Sequence, residues 1–461
     1  MAKVLTKWEP EETKFWQQQG SAIARRNLWI SIPALLLAFA IWQLWSVVVV
    51  YLPKIGFTYT DNERMWLTAL PALSGATLRI FYAFMIPIFG GRRWTAFSTA
   101  SLLIPVIGLG ICIQDTSTSF TTMAILALLC GFGGANFSSS MANIGYFFPK
   151  NEKGRATGLN AGLGNLGVSI VQFLVPLVIG AGIFGTMAGG PQTWTHDDGS
   201  VSQLWLQNAG YIWVPFIVLV VIFAWLGMND IASAKASFKD QAIIFSRKHN
   251  WLMCLLYVGT FGSFIGFSAA LPLLIGREFP TENALKYAFL GPLLGSIFRV
   301  LGGVLSDRMG GARVTQWSFV GMILCVLSIL YFLPEKGQSG SFSGFLVSFL
   351  VLFIFVGMGN GSTFAQVPAI FIQFHKRLSA GKGEQAKHLA MLNANKESGA
   401  VLGFIGAIGA YGGFMIPKLN GTSLHYTGSI ALSFYCFIGF YASCVLINWW
   451  FYARKGAEAP C

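Results

Sequence analysis

The sequence predicts an all-α membrane protein with twelve transmembrane helices in two pseudo-symmetric six-helix halves. Three observations predict it. The 461-residue chain is 54% hydrophobic and only 11% charged, with a mean hydropathy of +0.60, too little charge to cover a soluble domain of that length. Apolar runs of roughly 20 residues, long enough to cross a bilayer, recur from end to end. The second half of the chain also repeats landmarks of the first.

The runs fall near 28–52, 65–89, 93–113, 121–148, 156–186, 209–228, 250–276, 283–306, 314–333, 344–372, 388–416 and 428–453. Residues 1–27 are polar and carry no cleavage signal, so the first span is expected to stay in the mature protein. With the N-terminus inside, 22 of the 31 Lys and Arg residues lie in cytoplasmic segments, six in outside loops and three within spans. Such a bias sets orientation and places both termini in the cytoplasm. It also accounts for the net charge of +13, which on a soluble protein would have suggested nucleic acid; no nucleic-acid partner is expected, and the membrane lipid is.

The repeat appears at an offset of 220 residues. Leu73, Gly75, Arg79, Gly90-Gly91, Arg93 and Thr95 match Leu293, Gly295, Arg299, Gly310-Gly311, Arg313 and Thr315. The expected organisation is a cytoplasmic segment 1–27, a six-helix half 28–228, a cytoplasmic linker 229–249, a six-helix half 250–453 and a cytoplasmic tail 454–461. Parallel repeats around a central site are a transporter architecture.

The cysteines number seven, are scattered, and show no metal-ligand spacing. The five histidines fall in loops or at helix ends, so neither a metal site nor a histidine relay is supported. No metal or cofactor is expected. Enzyme chemistry is not expected either: there are no paired carboxylates, no Ser/His/Asp or Cys/His arrangement, and no phosphate-binding loop with its strand and lysine.

Arg79 and Arg299 sit inside apolar spans at equivalent repeat positions. An intramembrane arginine costs at least about 2.5–3.5 kcal/mol on insertion scales, so a retained one is usually functional or paired. Of 18 Asp and Glu residues, only Glu397 lies within a span, and Lys396 beside it is its expected partner. The two arginines are therefore expected to face a cavity without fixed counter-charges, where they bind an anion; hydrogen bonding to carbonyls is the alternative. Pseudosymmetry brings equivalent helices together near the midplane, and a guanidinium is a planar fork suited to a planar oxyanion. Few fixed polar groups and many aromatics point to a small, weakly hydrated monoanion.

Two glycine runs stand out. Gly158, Gly162, Gly164 and Gly167 surround Asn165; Gly399, Gly403, Gly406 and Gly409, with Gly412 and Gly413, form the counterpart. Smooth helices of this kind pack closely and can slide or rock against neighbours. Asn165 is a candidate substrate contact on such a face. Tyr257 and Phe261, four residues apart, share one helix face and open a glycine-rich stretch. Asn136-Phe137-Ser-Ser-Ser140 mixes polar and aromatic residues similarly, and both clusters read as cavity lining.

Gly302-Gly-Val-Leu-Ser-Asp307-Arg308-Met-Gly310-Gly-Ala-Arg313 resembles the loop signature of the major facilitator superfamily. Its first-half equivalent, Phe89-Gly-Gly-Arg92-Arg93, has lost the Asp. An Asp and Arg cluster between cytoplasmic helix ends can latch one transporter state. Over nearly the whole chain the sequence resembles the nitrate/nitrite porters, and within them the NarK-type bacterial antiporters. The likeness rests on Arg25-Arg-Asn-Leu-Trp-Ile-Ser31, Pro87-Ile-Phe-Gly-Gly-Arg-Arg-Trp-Thr95, Gly131-Phe-Gly-Gly-Ala-Asn-Phe137, Gly162-Leu-Gly-Asn-Leu-Gly167 and Thr260-Phe-Gly-Ser-Phe-Ile-Gly-Phe-Ser268.

The resemblance implies that Arg79 and Arg299 bind nitrate and nitrite, that Asn165 and Tyr257 contact the anion, that Phe137 and Phe261 wall it, and that the glycine runs are nitrate signatures. It implies nitrate uptake coupled to nitrite export by rocker-switch alternating access in a bacterial cytoplasmic membrane, by a functional monomer. Ala161, where relatives have Gly, and the charged pair Lys396-Glu397 depart from the pattern. The pair keeps nitrate/proton symport open as an alternative, with Glu397 as proton carrier. An anion-binding membrane sensor is a remote third reading, without an appended soluble domain to support it.

Overall fold

A computed structural model describes residues 4–196, 199–232, 234, 242–334 and 340–461, the side chains of residues 150 and 151 excepted. Residues 233 and 235–241 of the expected linker, and Lys336, lie outside them.

The chain is helical almost throughout, because a backbone in hydrocarbon must satisfy its own hydrogen bonds. Among the described residues eleven helices are long and apolar enough to span: α1 Thr13–Tyr51, α3 Gly91–Cys112, α4 Phe120–Phe147, α5 Glu152–Val178, α6 Asn208–Gly227, α7 Lys248–Glu278, α8 Ala284–Met309, α9 Gly311–Phe332, α10 Phe342–Leu378, α11 Glu384–Thr427 and α12 Ala431–Ala453. The remaining expected span is α2, Asp61–Tyr82. It fails on hydropathy because it opens with Asp61, Glu63 and Arg64 and carries Arg79. Its start is fixed by a capping box in which Thr60 and Glu63 exchange side-chain and backbone hydrogen bonds. All twelve helices overlap the spans expected from hydropathy.

Two small β pairs lie outside the spans. Val4–Leu5 pairs in parallel with Asp230–Ile231, and Gln192–Thr195 pairs antiparallel with Val201–Leu204. The first ties the N-terminal segment to the end of α6. Trp8 extends that anchor, its ring 5.4 Å from Phe147 at the end of α4 and its indole donating to the Tyr146 carbonyl at 3.1 Å.

The chain divides into two compact units, 1–235 with 266–293 and 413–425, and 236–265 with 294–412 and 426–461. The halves 28–228 and 250–453 are expected from sequence symmetry; the packing units follow contacts and cut through α7, α8 and α11. Polar contacts within the first unit explain why its later segments belong there. Gln172 donates to the Ser268 carbonyl at 2.7 Å, Ser169 donates to the Phe289 carbonyl at 2.9 Å, and Arg277 pairs with Asp61.

Glycines decide how closely helices meet. In the first unit a Cβ on Gly131 of α4 would collide with Ser74 and come within 2.6 Å of the Gly75 nitrogen on α2. In the second unit a Cβ on Gly357 of α10 would collide with the Gly295 carbonyl of α8. Gly75 and Gly295 are repeat equivalents, so the same backbone-to-backbone approach is built twice. Each of these crossings lies one helical turn from an arginine.

Candidate functional site

In the first unit, the α2–α4 crossing builds the environment of Arg79. Gly75 and Gly134 leave room for the Trp42 indole: a Cβ on Gly75 would lie 2.8 Å from Trp42 Nε1, and one on Gly134 would collide with the ring. Trp42 Nε1 donates to the Pro71 carbonyl at 2.8 Å, which pins the ring between helices. One turn further along α2, Arg79 is fully buried. Its Nε donates to the Gly134 carbonyl at 2.7 Å, and its guanidinium lies 4.9 Å from the Trp42 ring and 4.7 Å from the Phe137 ring. A carbonyl and two π faces offset part of the cost of burying the cation without neutralising it.

Asn165 lies on α5 in the same unit. It is fully buried, and neither its Oδ1 nor its Nδ2 has a hydrogen-bond partner among the described residues. Its neighbours set the helix depth. A Cβ on Gly167 would collide with the Leu36 carbonyl of α1, and one on Gly164 would meet Leu35 at 2.7 Å.

In the second unit, Arg299 is 7% exposed. Its Nη2 donates to Tyr257 Oη at 3.4 Å, and the guanidinium lies 5.9 Å from the Phe261 ring and 5.8 Å from Phe364. Tyr257 and Phe261 stack with centroids 5.3 Å apart and an interplanar angle of 19°, so the expected shared face is present. The backbone there makes a π-helical turn, Val258–Gly262, of the kind that often marks functional positions. Among the described residues Arg299 Nη1 has no hydrogen-bond partner, and no carboxylate lies within ion-pair distance of Arg299.

The glycine signatures divide into two kinds. Gly164, Gly167 and Gly409, the last against Tyr257 at 2.6 Å, are tightly packed, whereas a Cβ on Gly158, Gly399 or Gly403 would meet nothing within 4 Å. Close packing, expected for the whole of each run, therefore holds for part of it. Gly167→Ala is expected to lower stability by about 1–3 kcal/mol through overpacking. Gly158→Ala is expected to leave it unchanged or raise it by up to about 1 kcal/mol through helix propensity. Thermal melting of the purified variants in detergent compares the two.

The loop charges differ between the two halves, and the expected partner of Glu397 needs correction. The first-half loop lacks the Asp in its own segment, and a carboxylate reaches it from elsewhere: Asp230, from the strand after α6, accepts from the Arg92 backbone at 2.8 Å and lies 3.3 Å from Arg92 Nε and 3.8 Å from Arg93 Nε. Sequence reasoning missed Asp230 because it is about 140 residues from the arginines. In the second half Asp307, Arg308 and Arg313 are exposed and make no ion pair among the described residues.

Glu397, finally, is not held by Lys396, which is exposed on α11. Arg247, just before α7, grips it with Nε and Nη2, each 2.8 Å from a carboxylate oxygen. His375 Nε2 lies 3.2 Å from Oε1 but out of line for a hydrogen bond. The carboxylate is buried and already spoken for by a bidentate guanidinium. Trp42 and Phe364 were also missed. The repeat offset is 220 residues at the arginines but 227 between Phe137 and Phe364, so a fixed-offset comparison passes over the second ring.

Among the described residues, eleven helices apolar enough to span and the more polar α2, with a buried arginine in each repeat, define a multi-pass membrane transporter. The Major Facilitator Superfamily model matches residues 20–417. The chain is 50% identical over 457 residues to "Nitrate/nitrite transporter NarU" of Escherichia coli (strain K12), covering 98% of this chain and 96% of that protein. It is 44% identical over 462 residues to "Probable nitrate/nitrite antiporter NarK2" of Thermus thermophilus, covering 99% and 98%. Among solved structures it is similar to a D-xylose-proton symporter at a TM-score of 0.62 and 13% identity, over 93% of this chain and 97% of that one, a likeness of fold alone. The chain belongs to the major facilitator superfamily and, within it, to the nitrate/nitrite transporters.

Proposed function

We propose that this protein is a nitrate/nitrite antiporter, taking up nitrate in exchange for nitrite by alternating access, with Arg79 and Arg299 as the charged anion ligands. The observation that carries the anion chemistry is Arg299: a buried guanidinium with aromatic rings beside it and, among the described residues, no partner for Nη1 and no carboxylate in ion-pair range. Nitrate and nitrite are the anions named for the relatives that match nearly the full chain. A planar fork of donors suits a planar oxyanion, and flat hydrophobic walls suit a weakly hydrated one.

Exchange follows from electrostatics. A buried cation without a fixed counter-charge is costly in a medium of low dielectric. The bound anion supplies that charge, so the loaded protein changes state more readily than the empty one. Asn165, Tyr257, Phe137 and Phe261 complete the proposed contacts. Glu397, gripped by Arg247, is a poor candidate for a proton carrier, which favours antiport over nitrate/proton symport. In the proposed arrangement the protein sits in the bacterial inner membrane with both termini cytoplasmic and acts as a monomer.

Proteoliposomes test the reading. Vesicles loaded with nitrite are expected to take up labelled external nitrate, empty vesicles to take up little, and an inward proton gradient to change neither. Gradient-driven uptake into empty vesicles would overturn antiport.

A further inference from the structure

We infer that Asn360, on α10, is a further anion-positioning residue, its side-chain amide donating to the substrate held by Arg299. The inference rests on the proposal that Arg299 binds the anion, and deepens it.

The packing of α10 fixes where residue 360 points. Gly359 and Thr363 face α7: a Cβ on Gly359 would lie 2.8 Å from Thr260 Cγ2, and the Thr363 and Thr260 hydroxyls are 3.0 Å apart. Gly357 and Gly361 face α8, where a Cβ on either would collide with the carbonyls of Gly295 and Arg299 respectively. Successive helical residues are about 100° apart. Position 360 therefore falls between these two faces, on the same side as Phe364 one turn later. That side is the wedge between α7 and α8. The Arg299 guanidinium occupies it, with Phe364 at 5.8 Å and Phe261 at 5.9 Å.

Asn360 is 1% exposed, and neither its Nδ2 nor its Oδ1 has a hydrogen-bond partner among the described residues. Proteins rarely leave a buried amide unsatisfied, because desolvation is not recovered. Here the unsatisfied amide shares its wedge with an arginine whose Nη1 is also unpartnered. An oxyanion satisfies both groups, accepting from Nη1 and from Nδ2. The first unit likewise holds both a buried arginine, Arg79, and a buried asparagine without a hydrogen-bond partner among the described residues, Asn165. Asn360 on α10 and Asn165 on α5 are not repeat equivalents, so the repeat does not reveal the second one.

The test uses the full-length transporter in nitrite-loaded vesicles, with Asn360→Ala, Asn360→Asp and Arg299→Lys compared to the parent. Melting temperature in detergent, with and without nitrate, reports folding and binding. Loss of a hydrogen bond to a charged group is expected to raise the half-saturating nitrate concentration about tenfold in Asn360→Ala. Asn360→Asp separates a ligand from a packing residue. A carboxylate in that wedge pairs with Arg299 and repels the anion, so nitrate binding is expected to be weaker than in Asn360→Ala, while the nitrate-free melting temperature is no lower. Should Asn360→Ala fail to fold, Asn360→Asp carries the same comparison against the parent. Parent-like half-saturation in both Asn360 variants, with Arg299→Lys impaired, overturns the role of Asn360 and leaves Arg299 as ligand. Parent-like half-saturation in all three overturns the Arg299 site and the inference with it.

Discussion

Arg299→Lys is expected to raise the half-saturating nitrate concentration at least tenfold, equivalent to about 1.4 kcal/mol, with the helical fold retained. Lysine keeps the positive charge, so a site that needed charge alone would survive. It loses the planar fork and the face that stacks on rings. The parent guanidinium uses both: Nη2 reaches Tyr257 at 3.4 Å, Nη1 is left for a ligand, and Phe261 and Phe364 stand 5.9 and 5.8 Å away. A compact ammonium can keep the tyrosine or meet the anion, but not in the same geometry. Arg79→Lys is expected to fail similarly, because lysine cannot hold the Gly134 carbonyl through an Nε–H while presenting a second donor edge. Initial rates of exchange across a nitrate series, with melting temperatures as a fold control, measure both variants. Parent-like half-saturation in both would remove the arginines from the anion's ligands.

Much of this was legible in the sequence, for physical reasons that also explain what was not. The spans were legible because a hydrocarbon medium forces long apolar helices, and Arg79 and Arg299 because a charge in such a helix stands out. Local pairs were legible too: Tyr257 and Phe261 stack as four-residue spacing on a helix predicts. Trp42 was hidden because nothing in its own segment marks it; only Gly75 and Gly134, on two other helices, make room for it. Asp230 and Arg247 were hidden for a related reason. Each is a charged residue in a polar stretch, where charges are unremarkable, and each acquires its role from a partner some 140 to 150 residues away. Glu397 shows the same limit: its sequence neighbour Lys396 projects from a different side of α11, since adjacent helical residues do not face each other.

That misassignment of a partner bears directly on coupling, and Glu397→Gln tests it. The carboxylate lies 6% exposed, and the side chain of its partner Arg247 is 22% exposed. Removing one member of a buried pair strands the other, a loss of about 3–5 kcal/mol when both are fully buried. Partial exposure of Arg247 places the expected loss near the lower end, about 3 kcal/mol. Arg247→Gln is expected to destabilise for the same reason. The double variant is expected to recover part of the loss, because neither charge is left alone. A proton carrier makes a different prediction. Neutral glutamine would then abolish uptake driven by a proton gradient and leave stability nearly untouched, since a carrier must be neutral for part of its cycle. Melting temperatures of the two single variants and the double variant, read beside exchange with and without the gradient, separate the two roles. Coupled destabilisation with exchange indifferent to the gradient makes Glu397 the anchor that fastens the segment before α7 to α11, the helix that carries the second glycine run.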